Sequence, residues 1–376
     1  MKFVNELKSR REKLELILKE KGLDAAVLAG NGAIGTLALG SLRYFTDWRC
    51  YFSLQAMVQV PGKEPVMCVG SVLHEQGLNQ RGYYDVRCNA PVIINVIKEL
   101  KANGSKKIGC CLDVFPADWY LAMKKEIPGV EFVDIAQEIF ELRTVISDEV
   151  LDRVRRSAQI ADKGFDVVCK MIKPGVKMKD IHTELDKTML MEGAEEVFTL
   201  MSCGRFSYTD NKLECLSRYS YPDDRIVRDG DNVAMEITPK FKGYWTQLVR
   251  TVCVGNANPD LAEAQIKQVE LINEAAKSLK PGVTLGSVLT SLLEKTESMG
   301  YVPSMPFGHV LGLDLDEAGR ASSMSPLILK ENMTVVLHPT MCKPGSTDSI
   351  FHGDSFIVTP NGGERITKST ADIVVL

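Results

Sequence analysis

The chain has 376 residues, 45% of them hydrophobic, and a formal net charge of -4. That length and apolar content can bury a sizeable core and suggest two or three domains. A pI near 5.9 and the lack of a basic run exclude the electrostatic footprint of a nucleic-acid binder, and no run of about 18 apolar residues is there to span a membrane.

The opening, MKFVNELKSRREKLELILKEKG, is amphipathic and charged, without the apolar core or cleavage site of a secretion signal. The expected location is the cytoplasm. Ten cysteines are scattered through the chain, with Cys110 and Cys111 the one close pair and no C-x-x-C. Free thiols in a reducing compartment are the expected state, with neither a zinc knuckle nor a redox motif.

Leu7, Leu14, Ile17 and Leu18 fall near helical spacing, and Gly22 can end that helix. Residues 25–28, 56–60, 66–69, 107–112 and 130–133 read as strands, and residues 92–102 and 116–125 as helices. Such alternation predicts a small α/β domain over residues 1–142. A second unit, residues 143–376, begins with a long helix over 148–172, for which Ser147 is a candidate cap. His74 and His182 are expected to be solvated helix residues.

The second unit carries an internal repeat. MIKPGVKMKDIHTEL (residues 171–185) matches SLKPGVTLGSVLTSL (residues 278–292). In both, a helix ends at Lys-Pro-Gly-Val and a second helix follows. Pro-Gly punctuation alone would account for the turn but not for the shared Lys and Val. Duplicated helix pairs on one curved sheet would leave a cleft, a usual place for a ligand.

The stretch GDNVAMEITPKFKGYWTQLVRT (residues 230–251), with PFGHVLGLD, VVLHPTM and FHGDSFIV, resembles the creatinase/prolidase/methionine aminopeptidase superfamily. The resemblance covers residues 142–376 well and the first domain loosely. It implies the pita-bread fold, an α+β domain with a curved antiparallel sheet and duplicated helix pairs. In metallopeptidase members five acidic or imidazole side chains hold two divalent metals. Those positions fall here on Glu236, Gln247, His309, His338 and Gly353. An amide is a weak ligand and glycine is none, so neither a two-metal site nor any other cofactor is expected. A single metal on Glu236, His309 and His338 is the chemically possible remainder.

Within the superfamily the segment is most similar to creatinase, a metal-free amidinohydrolase. Shared are Pro239, Gly243-Tyr244-x-Thr246, Leu248 and Arg250-Thr251, whereas Val249 and His338 replace expected glutamates. The expected function is therefore metal-independent hydrolysis of a C–N bond in a small amide, amidine or ureido compound. His309 and His338 would be the acid–base pair, with Glu236 orienting one imidazole. Gln247, Tyr244, Asp354, His352 and Arg205 are the expected substrate contacts, and Arg250 a structural ion-pair anchor. Two other readings stand beside this one. One is an Xaa-Pro dipeptidase-like metallopeptidase with an unusual metal set. The other is a binding module that kept the cleft and lost the chemistry. The resemblance also implies a homodimer, with residues 42–49 reaching toward the partner.

Overall fold

The computed structural model describes every residue except 1, 32–39, 51–52, 83, 205–207, 210–211, 214–220, 258, 304–306, 318–324, 343 and 345–348. The chain divides into two compact units, Met1–Thr144 and Val145–Leu376.

The first unit runs α1 (Lys2–Glu20), β1 (Ala25–Asn31), α2 (Gly40–Thr46), β2 (Leu54–Gln59), β3 (Val66–Cys68), α3 (Val72–Arg81), β4 (Asp85–Arg87), α4 (Val92–Ala102), β5 (Lys107–Cys110), α5 (Ala117–Glu126), β6 (Glu131–Asp134) and α6 (Ala136–Thr144). Its strands form one sheet in the order β4-β3-β2-β1-β5-β6. The expected α/β domain is present. Gly22 ends α1 at φ 59°, a backbone that glycine adopts without a Cβ penalty. Leu42, Arg43, Tyr44 and Trp48 are buried within this unit, and the Trp48 indole donates to Gln55 Oε1 at 2.8 Å. Most of the segment expected to reach toward a partner thus packs inside its own domain. His74 is also buried, with Nδ1 2.9 Å from Gln55 Nε2, and is not a solvated helix residue.

The second unit begins with α7 (Asp148–Met171) and α8 (Met178–Met191). The strands β7 (Glu196–Gly204), β8 (Tyr208–Thr209), β9 (Lys212–Leu213), β10 (Asn232–Phe241), β11 (Tyr244–Trp245) and β12 (Leu248–Cys253) follow. A second helix pair, α9 (Pro259–Ala276) and α10 (Leu285–Ser298), precedes β13 (Val302–Pro303), β14 (Gly308–Leu311), β15 (Thr334–Leu337), β16 (Thr340–Cys342), β17 (Ser349–Phe351), β18 (Asp354–Thr359), β19 (Gly362–Arg365) and β20 (Val374–Val375). Ser147 does occupy the N-cap position of α7, but its hydroxyl makes no capping bond.

The repeat read from the sequence extends to single hydrogen bonds. Gly175 and Gly282 take φ 94° and 90°. Gly175 N donates to Val227 O and Gly282 N to Leu329 O, both at 2.9 Å. Isolated bridges Lys177–Ile226 and Thr284–Ile328 then occupy equivalent places. Each Lys-Pro-Gly-Val turn therefore pins a helix pair to an extended segment that leads into a strand.

Two sheets carry the site. One holds β7, β10, β11, β12 and β20, and the other runs β14-β15-β18-β19. Strand pleating gives each sheet two faces of alternate residues. Val233, Met235, Ile237, Leu248 and Val252 pack against Ile160, Phe165, Ile181 and Leu185 of α7 and α8. Val310, Val335, Leu337, Phe356 and Val358 pack against Leu271, Leu285, Val288 and Leu292 of α9 and α10. On the opposite faces, Trp245 of the first sheet packs against Leu311 and Val336 of the second. The helix pairs thus cover the outer faces, and the inner faces meet.

Candidate active site between the inner sheet faces

Register decides which residues look inward. β10 and β12 pair antiparallel with Glu236 opposite Val249 and Ile237 opposite Leu248. β10 and β11 pair with Lys240 opposite Trp245. The register is continuous, so Thr238 stands opposite Gln247. Ile237 and Leu248 lie in the helix-facing core, so Glu236, Thr238, Lys240, Trp245, Gln247 and Val249 share the inner face.

The second sheet works the same way. His309 pairs with Val336, and Val336 with Ser355. Val310 and Leu337 lie in the helix-facing core, which turns His309, Leu311, Val336 and His338 inward. The two imidazole rings meet edge to face at a centroid distance of 5.3 Å. Ser355 joins the sheets. Its Oγ donates to Gln247 O at 2.7 Å and accepts from Gln247 N at 3.0 Å. Glu236, Gln247, His309 and His338 thus lie, from separate segments, on the two inner faces, with the two histidines in contact.

The imidazoles differ. His309 Nδ1 lies 3.3 Å from Val310 O and 4.0 Å from an Asp316 carboxylate oxygen. The Val310 carbonyl as acceptor at Nδ1, with the Asp316 charge farther out on the same side, favours the tautomer that carries its proton there and leaves the Nε2 lone pair open. Burial lowers the His309 pKa, and Asp316 works against that shift. His338 is 4% exposed, and among the described residues neither of its ring nitrogens has a hydrogen-bond partner. Burial, then the neighbouring His309, depresses its pKa to about 3. It is a neutral imidazole at physiological pH.

Three expected contacts face away from the inner surface. Tyr244 lies on the helix-facing side of its strand by alternation with Trp245, with α7 behind it. His352 and Asp354 flank Gly353 and so point to the opposite side of the strand. There Arg250 Nη2 donates to Asp354 Oδ1 at 2.7 Å, the Thr367 hydroxyl donates to the same oxygen at 2.7 Å, and His352 Nε2 lies 3.3 Å from Oδ2. Burial followed by Arg250 lowers the His352 pKa to about 4. These residues form a buried charge network that ties in the C-terminal segment, with Arg250 in the anchoring role expected of it. Arg205 lies outside the described residues. Asp316, Thr238, Trp245 and Ser355 complete the inner surface. Of these, Asp316 belongs to an acidic stretch with Asp314 and Glu317.

The family model for metallopeptidase family M24 matches residues 152–360, and that for the creatinase/prolidase N-terminal domain matches residues 10–145. The chain belongs to metallopeptidase family M24. Membership places it among hydrolases of C–N bonds, the enzyme class expected from its sequence. It is 25% identical to the uncharacterized peptidase YqhT of Bacillus subtilis, over 97% of this chain and 99% of that one. It is 24% identical to an Xaa-Pro dipeptidase of Pyrococcus horikoshii, over 67% and 70% of the two chains. Among solved structures, the Xaa-Pro dipeptidase from Bacillus anthracis superimposes with a TM-score of 0.84 at 24% identity, covering 98% of this chain and all (100%) of that one. The pita-bread fold expected for the second unit matches these neighbours.

The M24 name implies metals, and the donor set here does not fit a metal pair. At the five positions of the family pattern stand a carboxylate, an amide, two imidazoles and a glycine. A Cβ at Gly353 would lie 2.8 Å from both His338 Cα and Leu337 O, so backbone fills the space a fifth ligand would need. Among the described residues no group of three or more His, Cys, Asp or Glu is placed to hold a metal ion. No such group joins Glu236, His309 and His338. Among the same residues, no helix is long and apolar enough to cross a membrane.

Proposed function

We propose that this M24 family member hydrolyses a C–N bond in a small dipeptide-like or amide compound with imidazole chemistry and without the paired metals. The observation that carries this reading is the edge-to-face contact of His309 and His338 on the inner face, 5.3 Å between centroids. In this reading His309 Nε2 takes a proton from water as the hydroxyl oxygen bonds to the substrate carbon. The C–N bond breaks, and the same proton passes to the leaving nitrogen, so His309 ends as it began. His338, too weak a base to compete, donates a neutral N–H to the carbonyl oxygen as negative charge builds on it. The carboxylate seen beside His309 is Asp316. That puts Asp316 in the orienting role the sequence had given to Glu236. Arg205 and Glu236 remain candidates for contacting the rest of the substrate.

The names of the similar proteins make Xaa-Pro dipeptides the first substrates to try, alongside small amides and ureido acids. A cytoplasmic homodimer belongs to the same reading. The deciding experiment is turnover of a member of that panel after exhaustive chelation. Retained turnover with sub-stoichiometric metal by elemental analysis is expected. Activity that disappears on chelation and returns with added Mn, Co or Zn would overturn the metal-free part.

A further inference from the structure

The inner face holds hydrogen-bonding capacity that no described protein group answers. Gln247 Oε1 and Nε2, both nitrogens of His338 and Thr238 Oγ1 are five buried atoms without a hydrogen-bond partner among the described residues, and Trp245 Nε1 and Thr334 Oγ1 on the same face are two more. Gln247 and Thr238 are 0% exposed and stand opposite each other in the strand register. Buried polar groups are nearly always paired, and each one left dry costs about 1–3 kcal/mol. That many such atoms on one face mark a place built for something other than the protein itself.

The chemistry of the five atoms narrows what that is. Gln247 is fixed by its backbone, because Ser355 Oγ engages both its N–H and its C=O. Its side-chain amide then offers one planar edge with an acceptor and a donor. A carboxylate brings only acceptors to that edge, and an ammonium or guanidinium brings only donors. Either would leave one of the two atoms unanswered. A carboxamide or urea brings one of each. His338 likewise offers one donor and one acceptor, and Thr238 can do either. None of the five atoms supplies a formal charge to neutralise an ion.

We infer that the orphaned edge of Gln247 selects a neutral amide- or urea-type group, and that Gln247 is the specificity-determining residue of the site. This rests on the reading of the inner face as the substrate site. It narrows the substrate from any amide, amidine or ureido compound to one whose bound group is uncharged.

Binding rather than turnover tests it. Wild-type protein is titrated by calorimetry, with thermal shift alongside, using N-acetylglycinamide and methylurea as neutral probes and acetate and methylammonium as charged ones, all at millimolar concentration. The neutral probes are expected to bind and the charged ones not. Gln247→Met keeps the volume and removes both polar atoms, and should weaken the neutral probes about tenfold or more. Gln247→Asn, which keeps an amide but withdraws it by one methylene, covers the case that the methionine variant fails to fold, and should weaken them as well. Charged probes binding as well as neutral ones, no binding of either neutral probe, or undiminished binding by the folded variants would each overturn the inference. Turnover of a charged amidine without amide binding would sink this inference and leave the hydrolase reading standing. Amide binding without turnover of any panel member would do the reverse.

Discussion

Gly353 and His338 are matched to each other. A Cβ at position 353 would sit 2.8 Å from His338 Cα, closer than non-bonded carbons approach. The two positions fall on the metal-ligand pattern of the family, and here His338 and Leu337 occupy the space that a side chain at 353 would need. Restoring a carboxylate at 353 would meet backbone before it met a metal.

Gly353→Ala is therefore expected to destabilise the protein by about 1–3 kcal/mol through overpacking. The φ of Gly353 is not among the positive values of the chain, so the cost is steric and not conformational. Urea denaturation of the two proteins at one pH measures it. An unchanged midpoint would show that the strands part at little cost.

A second expectation concerns acid. The His338 pKa is lowered from 6.5 to about 3, first by burial. A group whose folded pKa lies below its unfolded value binds fewer protons in the folded state. Its contribution is complete above pH 6.5 and is lost as pH falls toward 3. Over that window the wild type should lose up to about 1.4 kcal/mol per pH unit relative to His338→Gln, which does not titrate. Denaturation midpoints at half-unit steps test this, and parallel curves would contradict it.

The Arg250–Asp354 pair behaves differently. Both partners are nearly inaccessible, at 1% and 3% exposure. Burial works against the Asp354 carboxylate, but Arg250, His352 and Arg365 overcome it and hold its carboxyl below the usual carboxylate range. Its contribution is present above a pH of about 4 and is lost as pH falls through the lower folded value. Asp354→Asn leaves the buried Arg250 guanidinium with carbonyl acceptors at Val249, Gly353, Ser369 and Thr370 but no counter-charge from residue 354, and a loss of about 3–5 kcal/mol at neutral pH is expected. Calorimetric unfolding checks it, and a loss below about 1 kcal/mol would mean that those carbonyls suffice.

Much of this architecture could be read from residue order. The helix and strand bounds follow from local periodicity, and the Lys-Pro-Gly-Val repeat pointed to the duplicated helix pairs. His309 was recognisable because its segment PFGHVLGLD resembles a known pattern. What the sequence hid is the phase of the pleat between distant strands. His352 and Asp354 look like site residues because they border Gly353, yet a strand turns neighbours to opposite faces. The partner that decides their face, Arg250, lies more than a hundred residues away. Tyr244 fails for the same reason. The grip of Ser355 on Gln247 is a link of similar range, invisible to any local pattern.

The imidazole pair gives the last prediction. With His309 as proton carrier, His309→Ala should cost about 10²–10⁴-fold in turnover of whichever panel substrate the wild type accepts. His338→Ala removes an oxyanion donor and should cost about 10²–10³-fold in kcat. Asp316→Asn should cost far less, yet it leaves a signature neither alanine gives. Asp316 raises the His309 pKa against the lowering by burial. Losing that charge makes His309 easier to deprotonate, so the acid limb of the activity profile should move to lower pH. A purely structural Asp316 would lower activity at every pH and leave the limb where it was. Wild-type turnover in both alanine variants would remove the two histidines from the reaction altogether.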